Sequence, residues 1–212
     1  MKKRKLKLKP YVLPSLYVLS ALLLVMGVYF YGNREVAKPA EDIDYVSDEI
    51  NGYTVPVIAT EQTIMTPYSD TSVTVARDFY DYQSDANLQE SALVSYDGVY
   101  MQNSGIDYSA ANPFAVLAVL DGTVIEVEDT ELFGKSVTIQ HDNNLISTYQ
   151  GLTDVKVSKD DKVFQGQTIA TSGTSVINQS LGNHVHFEMY LNGTVLNPNL
   201  AIGKTLKELT TE

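Results

Sequence analysis

Two parts of the chain differ in how their hydrophobic and polar residues are arranged. Residues 11–31 are 21 consecutive positions without a charged side chain, enough for a helix to cross a hydrocarbon core of about 30 Å. From Val73 onward, short apolar runs alternate with turn residues at close, regular intervals. The first pattern predicts one transmembrane helix, and the second predicts an all-β domain.

The β-rich part contains two predicted hairpins. Residues 116–120 lead through Asp121-Gly122 into residues 123–128, and Asp-Gly between apolar runs is typical of a tight hairpin. Residues 136–141 and 145–149 are separated by three polar residues and form the second hairpin. Further strands are predicted at residues 155–157, 162–164, 168–171, His184–Leu191 and Thr194–Leu196, with Asn192-Gly193 as a turn.

The order of these elements indicates the fold class. Short, frequent strands favour a β-sandwich or barrel over alternating strands and helices. Only residues 86–93 have helical character in this part of the chain. The predicted organisation is a cytoplasmic tail (1–10), a transmembrane helix (11–31), a linker or stalk (32–72), the β domain (73–202) and a C-terminal tail (203–212).

Charge orients this arrangement. Six Lys or Arg residues lie within the first ten positions, and no acidic residue precedes Glu35. The positive-inside rule therefore places the N-terminus in the cytoplasm and the β domain outside. A cleaved signal peptide is the alternative, but the apolar stretch is longer than usual and no small-residue cleavage site follows it.

The remainder of the chain is strongly acidic. Beyond residue 32 it has nine Lys or Arg against 26 Asp or Glu, a net charge of −17. Phosphate backbones would repel this surface, which argues against a nucleic-acid partner. The 212 residues include no Cys, so disulfides, Cys-based zinc sites and thiol nucleophiles are excluded.

The chemistry then depends on three histidines: His141, His184 and His186. In a strand, residues i and i+2 face the same side, so His184 and His186 share one space. This pair is compatible with a zinc site, but taken alone it favours ordinary core or surface histidines. His141 lies at a predicted strand end and is a weaker candidate.

Several motifs, in order, resemble the lysostaphin/LytM-type zinc endopeptidases. The motifs are Ser104–Asp107, Val119–Gly122, Ser136–His141, Tyr149–Leu152, Val163–Ile169, Gly173-Thr174 and Gly182–Glu188. The resemblance covers about 100 residues and implies a β-sandwich of that type. It also implies an enzyme that cuts peptidoglycan cross-links with a zinc held by two His and one Asp.

The resemblance breaks at two positions. In the H-x-G-x-D motif the first zinc ligand is replaced by Asn103, while Asp107 and the other ligand, His186, are retained. In the Tyr-x-His-Leu motif the assisting histidine is replaced by Gly151, while the second assisting histidine, His184, is retained. We therefore expect no bound zinc and no peptidase activity, because a catalytic zinc needs three firm protein ligands and a positioned base.

A second resemblance extends over most of the chain. Residues 78–82, 91–96 and 100–107, together with the short tail and single anchor, resemble the stage II sporulation protein Q family. That resemblance implies a forespore-membrane scaffold whose outer domain binds the ectodomain of stage III sporulation protein AH across the intermembrane space. It further implies a ring-forming channel or zipper that serves engulfment and forespore gene expression.

Two other functions stay open from the sequence. One is a residual zinc peptidoglycan endopeptidase that uses Asp107, His186 and a substitute ligand. The other is a catalytically dead domain that activates a separate cell-wall hydrolase. The partner-binding strand or loop is not identified by the sequence.

Overall fold

A computed structural model of the chain describes residues 61–210. The strands are β1 (Thr74–Arg77), β2 (Leu93–Tyr96), β3 (Val99–Gln102), β4 (Ile106–Ser109), β5 (Ala115–Leu117), β6 (Gly122–Thr130), β7 (Gly134–Gln140), β8 (Leu145–Thr153), β9 (Lys162–Val163), β10 (Thr168–Ser172), β11 (His184–Leu191) and β12 (Thr194–Leu196). The α-helices are short: α1 (Ala86–Ser91), α2 (Pro198–Ala201) and α3 (Leu206–Thr210). Single 3₁₀ turns lie at Asp142–Asn144 and Gln179–Leu181.

The all-β prediction is confirmed for residues 61–210. Ten strands form one antiparallel sheet whose main order is β1-β4-β11-β8-β7-β6-β9. The sheet branches, because β10 pairs with both β8 and β5, and β12 pairs with β11. A β-sandwich would divide these strands between two sheets, but here hydrogen bonds link all ten of them into a single sheet. β2 and β3 form a separate two-stranded sheet.

One predicted hairpin is present and one is not. β7 and β8 pair antiparallel, with Gln140 opposite Ile146, as the pattern predicts. The hairpin across Asp121-Gly122 is wrong: β5 pairs with β10 instead. Asp121 is engaged elsewhere, since its carboxylate accepts from the backbone N–H of Gln165 at 2.7 Å.

The core lies along the inner face of the sheet. Its largest fully buried side chains include Tyr149, Phe187, Ile106, Ile139 and Met189. Tyr149 and Phe187, on neighbouring strands β8 and β11, pack against each other with tilted rings whose centroids are 5.2 Å apart. These residues fix the spacing between β8, β11 and β4, the strands that carry the predicted site.

Both ends of the described chain belong to the folded unit. Ile64 is buried in the core, its N–H donates to the carbonyl of Lys204, and its own carbonyl accepts from Gly203. Leu206 and Leu209 of α3 pack against the same core. The β domain therefore starts before residue 73, and residues 203–210 are part of it rather than a free tail.

The predicted transmembrane helix, residues 11–31, lies outside the described residues. Among residues 61–210, no helix combines the length and apolar character needed to span a bilayer.

Candidate functional site

Neighbouring strands β4 and β11 bring the predicted site residues together. In the antiparallel register Asp107 lies opposite His186, and Ser109 lies opposite His184. Gly105, just before β4, permits this close approach. A Cβ at that position would lie 2.2 Å from the carbonyl oxygen of Phe187, which is far inside van der Waals contact.

His186 is held between two carboxylates. Its Nδ1 donates to Asp107 Oδ1 at 2.9 Å, and its Nε2 donates to Glu188 Oε1 at 3.2 Å. Burial lowers the pKa of His186, but the hydrogen bonds and charges of these two carboxylates outweigh burial and raise it to about 9. The ring is therefore an imidazolium near neutral pH, and neither nitrogen has a lone pair to offer.

Arg77, at the end of β1, provides a second cation. Its Nη1 lies 3.2 Å from Asp107 Oδ2 and donates to Asn178 Oδ1 at 2.6 Å. Asn178 in turn donates to Asp107 Oδ1 at 3.3 Å. Both oxygens of Asp107, which is fully buried, are thus occupied by protein donors.

Glu188 completes the cluster on the far side of His186. Ser104 Oγ donates to its Oε1, and Tyr190 Oη donates to its Oε2 at 2.8 Å. Burial raises the pKa of Glu188, but the hydrogen bonds and charge of His186, together with these donors, lower it to about 2. With Arg77, Asp107 and His186, the cluster contains two cations and two anions and is neutral as a whole.

Asn103 lies beside this cluster, only 2% exposed. Its Nδ2 donates to the carbonyls of Asp78 and Gly105, each at 2.9 Å. These two acceptors fix the orientation of the amide, because a flipped amide would place oxygen against oxygen. Its Oδ1 is buried and has no hydrogen-bond partner within residues 61–210.

His184 is fully buried and has its own partners. Its Nδ1 donates to the carbonyl of Gly182 at 2.8 Å, so its Nε2 accepts from Ser175 Oγ at 3.0 Å. Burial lowers its pKa, which keeps the ring neutral. The Cα of Gly151 lies close by: a Cβ there would be 3.3 Å from His184 Nε2, and the backbone φ of +77° is one that side chains rarely adopt.

His141 lies apart from the cluster. Its Nδ1 donates to the carbonyl of Asp121 at 2.8 Å, and its Nε2 accepts from Ser147 Oγ at 2.7 Å. Burial lowers its pKa, which outweighs the opposing effects of Asp121 and Asp142. It is a structural histidine that ties the end of β7 to the start of β6.

A groove of about 210 Å³ opens over the cluster. His186 and Asn103 form part of its floor, and Val94 and Met101 of the β2–β3 hairpin form part of its wall. Phe133 and Ile177 are also among its apolar lining residues. The groove thus combines a neutralised polar floor with apolar sides.

The arranged donors do not fit a zinc ion. Zinc binds neutral imidazole nitrogen and free carboxylate oxygen, whereas His186 is doubly hydrogen-bonded as a donor and Asp107 is saturated by Arg77, Asn178 and His186. Asn103 offers only a neutral amide oxygen. No cluster of three or more His, Cys, Asp or Glu suited to a metal occurs in residues 61–210.

Sequence reasoning did not identify Arg77, Asn178 or Glu188. Glu188 could have been found, because it lies two residues after His186 and so shares its face of β11. Arg77 and Asn178 carry no local signal, since they reach Asp107 from 30 and 71 residues away in the sequence. Only the fold brings them into contact.

Comparison with known proteins places this arrangement in a family. Residues 101–198 match the model of peptidase family M23. Stage II sporulation protein Q of Bacillus subtilis (strain 168) is 34% identical over 197 residues, which cover 90% of this chain and 70% of that protein. The chain belongs to the stage II sporulation protein Q family.

Two solved structures have a fold similar to that of this chain over most of its length. One is a structure of the pore-forming complex of SpoIIQ and SpoIIIAH, matched with a TM-score of 0.69 and 33% identity over 71% of this chain and 98% of the solved chain. The other is a crystal structure of SpoIIIAH with SpoIIQ, with a TM-score of 0.63 and 35% identity over 65% of this chain and 99% of the solved chain. The predicted family and LytM-type fold are thereby confirmed.

Proposed function

We propose that this protein is a non-catalytic scaffold of endospore formation that binds the ectodomain of SpoIIIAH across the space between two membranes. It is anchored in the forespore membrane by residues 11–31, with its β domain in the intermembrane space. Repeated around a ring, the complex forms a channel or zipper that serves engulfment and forespore gene expression.

The partner assignment rests mainly on one observation. Two SpoIIQ structures, solved in complex with SpoIIIAH, match this chain over 98% and 99% of their length at 33% and 35% identity. The match includes the whole solved domain rather than a shared fragment. A chain this similar over the full domain is expected to keep the same kind of partner.

The absence of catalysis is proposed from the chemistry of the cluster. Arg77 and protonated His186 supply the positive charge that a peptidase of this family would obtain from zinc. Gly151 has no side chain to act as a base, a role that typically contributes about 10²- to 10⁴-fold to a rate. The groove therefore favours neither a residual endopeptidase nor metal binding.

A binding measurement tests the proposed function. The full-length chain, purified in a mild detergent, is mixed with the cognate SpoIIIAH ectodomain and followed by size exclusion and titration calorimetry. We expect a saturable complex with micromolar or tighter affinity. An unrelated soluble domain of the same charge as the partner serves as the control for general electrostatic attraction.

The outcome discriminates between functions. Absence of a complex at tens of micromolar, or equal binding of the charge-matched control, would contradict the scaffold. Release of soluble peptides from cross-linked peptidoglycan, abolished by a chelator, would instead support the peptidase.

A further inference from the structure

Strand β6 has an edge that is open along most of its length. β9 covers only its start, pairing with Gly122 and Thr123. Val124 is the last residue with outer partners, since its N–H donates to the carbonyl of Asp161 and its carbonyl accepts from Asp160. Beyond Val124, no strand of residues 61–210 pairs with the outer side of β6.

A β-bulge determines which backbone groups face this open edge. Val124 lies opposite Ile139 and Glu126 lies opposite Thr138, so Ile125 is the extra residue. Val124 directs its backbone groups outward. The bulge shifts by one residue the alternation between backbone groups that face β7 and backbone groups that face outward. As a result, the N–H and C=O of Glu126 face β7, while the N–H and C=O of Val127 and Asp129 face the open edge.

The side chains of this edge have a mixed character. Ile125 and Val127 are each 38% exposed, although both are apolar. Glu126 and Glu128 are exposed and project from the same face, because they are two residues apart. Asp129 and Glu131 add two further negative charges within six residues, and Lys135 of β7 lies opposite Asp129.

The open backbone groups and the acidic side chains of β6 together favour a basic partner strand over a second copy of the same edge. Open backbone groups and exposed apolar side chains promote pairing with another strand. Like charges directly opposite one another oppose pairing, so two copies of this acidic edge repel each other. A strand that alternates basic and apolar residues would satisfy the backbone, meet Glu126 and Glu128 with opposite charge, and cover Val127.

We propose that the open edge of β6, residues 125–130, is the docking site for an extended, basic strand of SpoIIIAH. The inference rests on the proposed function for the identity of the partner. It specifies the mode of binding, in which the partner strand extends the sheet beyond β6. The acidic residues guide the partner and prevent self-association.

Two substitution pairs test the edge in the full-length chain in detergent. Val127→Pro removes one outward N–H without removing a bond to β7, and Val127→Ala is its control because it keeps that N–H. Glu126→Lys with Glu128→Lys reverses the charge of the edge. Asp85→Lys with Glu90→Lys makes the same charge change at two exposed positions, the N-cap of α1 and its last turn, in a segment that does not pair with β6.

We expect Val127→Pro and the double reversal at β6 each to weaken SpoIIIAH binding by roughly tenfold or more, with both controls close to wild type. Amide exchange in the unmodified complex gives an independent readout that needs no variant. We expect the amides of residues 125–130 to exchange more slowly in the complex than in the free chain.

The failure of this proposal differs from the failure of the proposed function. If the wild-type chain does not bind SpoIIIAH, both the proposed partner and its docking at β6 are refuted. If the wild-type chain binds, but folded edge variants bind equally well and amide exchange at residues 125–130 is unchanged, only the docking at β6 is refuted and the partner assignment is retained. Slowed exchange with weakened binding supports both.

Discussion

At the scale of single residues, Arg77 opposes the binding of a metal ion beside Asp107. Its guanidinium lies 3.2 Å from Asp107, in a cluster whose charges already cancel. A divalent cation added there would meet two cations at close range and would have to displace a buried, hydrogen-bonded ion pair. Breaking such a pair by removing one partner typically costs about 3–5 kcal/mol.

The Arg77 contact leads to a prediction about restoring the site. Asn103→His alone introduces the histidine that the family motif has at this position, but we expect this variant to bind well below one zinc per chain. The double change Asn103→His with Arg77→Gln should bind more zinc, because it also frees Asp107 Oδ2. Metal content after dialysis, measured by mass spectrometry, checks this, with Arg77→Gln alone as the control. Full zinc occupancy in the single Asn103→His variant would refute the role given to Arg77.

Individual residues also mark what the sequence could and could not predict about the site. Asn103, Asp107, Gly151, His184 and His186 could be located because they belong to short motifs with fixed spacing. Arg77 and Asn178 could not, because hydrogen bonds between distant segments leave no local pattern. The sequence therefore located the positions that depart from the family motifs, but it did not predict the ion-pair cluster that surrounds Asp107 and His186.

At the scale of elements, the sequence predicted strand pairings between neighbouring segments but not pairings between segments far apart in the chain. The β7–β8 hairpin and the Asn192-Gly193 turn between β11 and β12 were predictable, because neighbouring residues determine them. β5 pairs with β10, about 50 residues away in the sequence. The Asp121-Gly122 turn signal concerns only adjacent segments, so it gave no indication of this pairing. The burial of Ile64 by residues from the opposite end of the described chain was equally hidden.

The pairing of β4 with β11 yields a prediction about Gly105. A methyl group there would meet the backbone oxygen of Phe187 at 2.2 Å, and backbone cannot move aside without separating the strands. We expect Gly105→Ala to lower the free energy of unfolding by about 3 kcal/mol, the upper end for overpacking. Equilibrium unfolding in urea measures this change.

Gly98→Ala provides a matched control for the Gly105 experiment. Gly98 has a φ of +76° but nothing within 4 Å of an added Cβ. Its substitution should cost only about 1 kcal/mol, from backbone strain. If Gly105→Ala costs no more than Gly98→Ala, close packing of β4 against β11 is not what requires glycine.

At the scale of the whole molecule, charge has two opposing roles. Beyond residue 32 the chain has nine basic and 26 acidic residues. An excess of this size keeps the domain soluble and attracts a basic partner, but it also makes the folded domain repel itself. Both effects are long-range, and salt screens them over a Debye length of about 10 Å at 0.1 M.

Salt should therefore move folding and binding in opposite directions. Raising NaCl from about 0.05 to about 0.5 M shortens the Debye length severalfold; we expect the free energy of unfolding to increase because internal repulsion is screened. The same change should weaken the SpoIIIAH complex, because the attraction to the acidic edge of β6 is screened as well. Urea unfolding and titration calorimetry at matched salt concentrations measure the two quantities on one preparation. The variant with Glu126→Lys and Glu128→Lys should keep the salt response of folding and lose most of that of binding. A complex that becomes tighter with salt, or a fold that becomes less stable, would mean that this charge distribution does not govern either process.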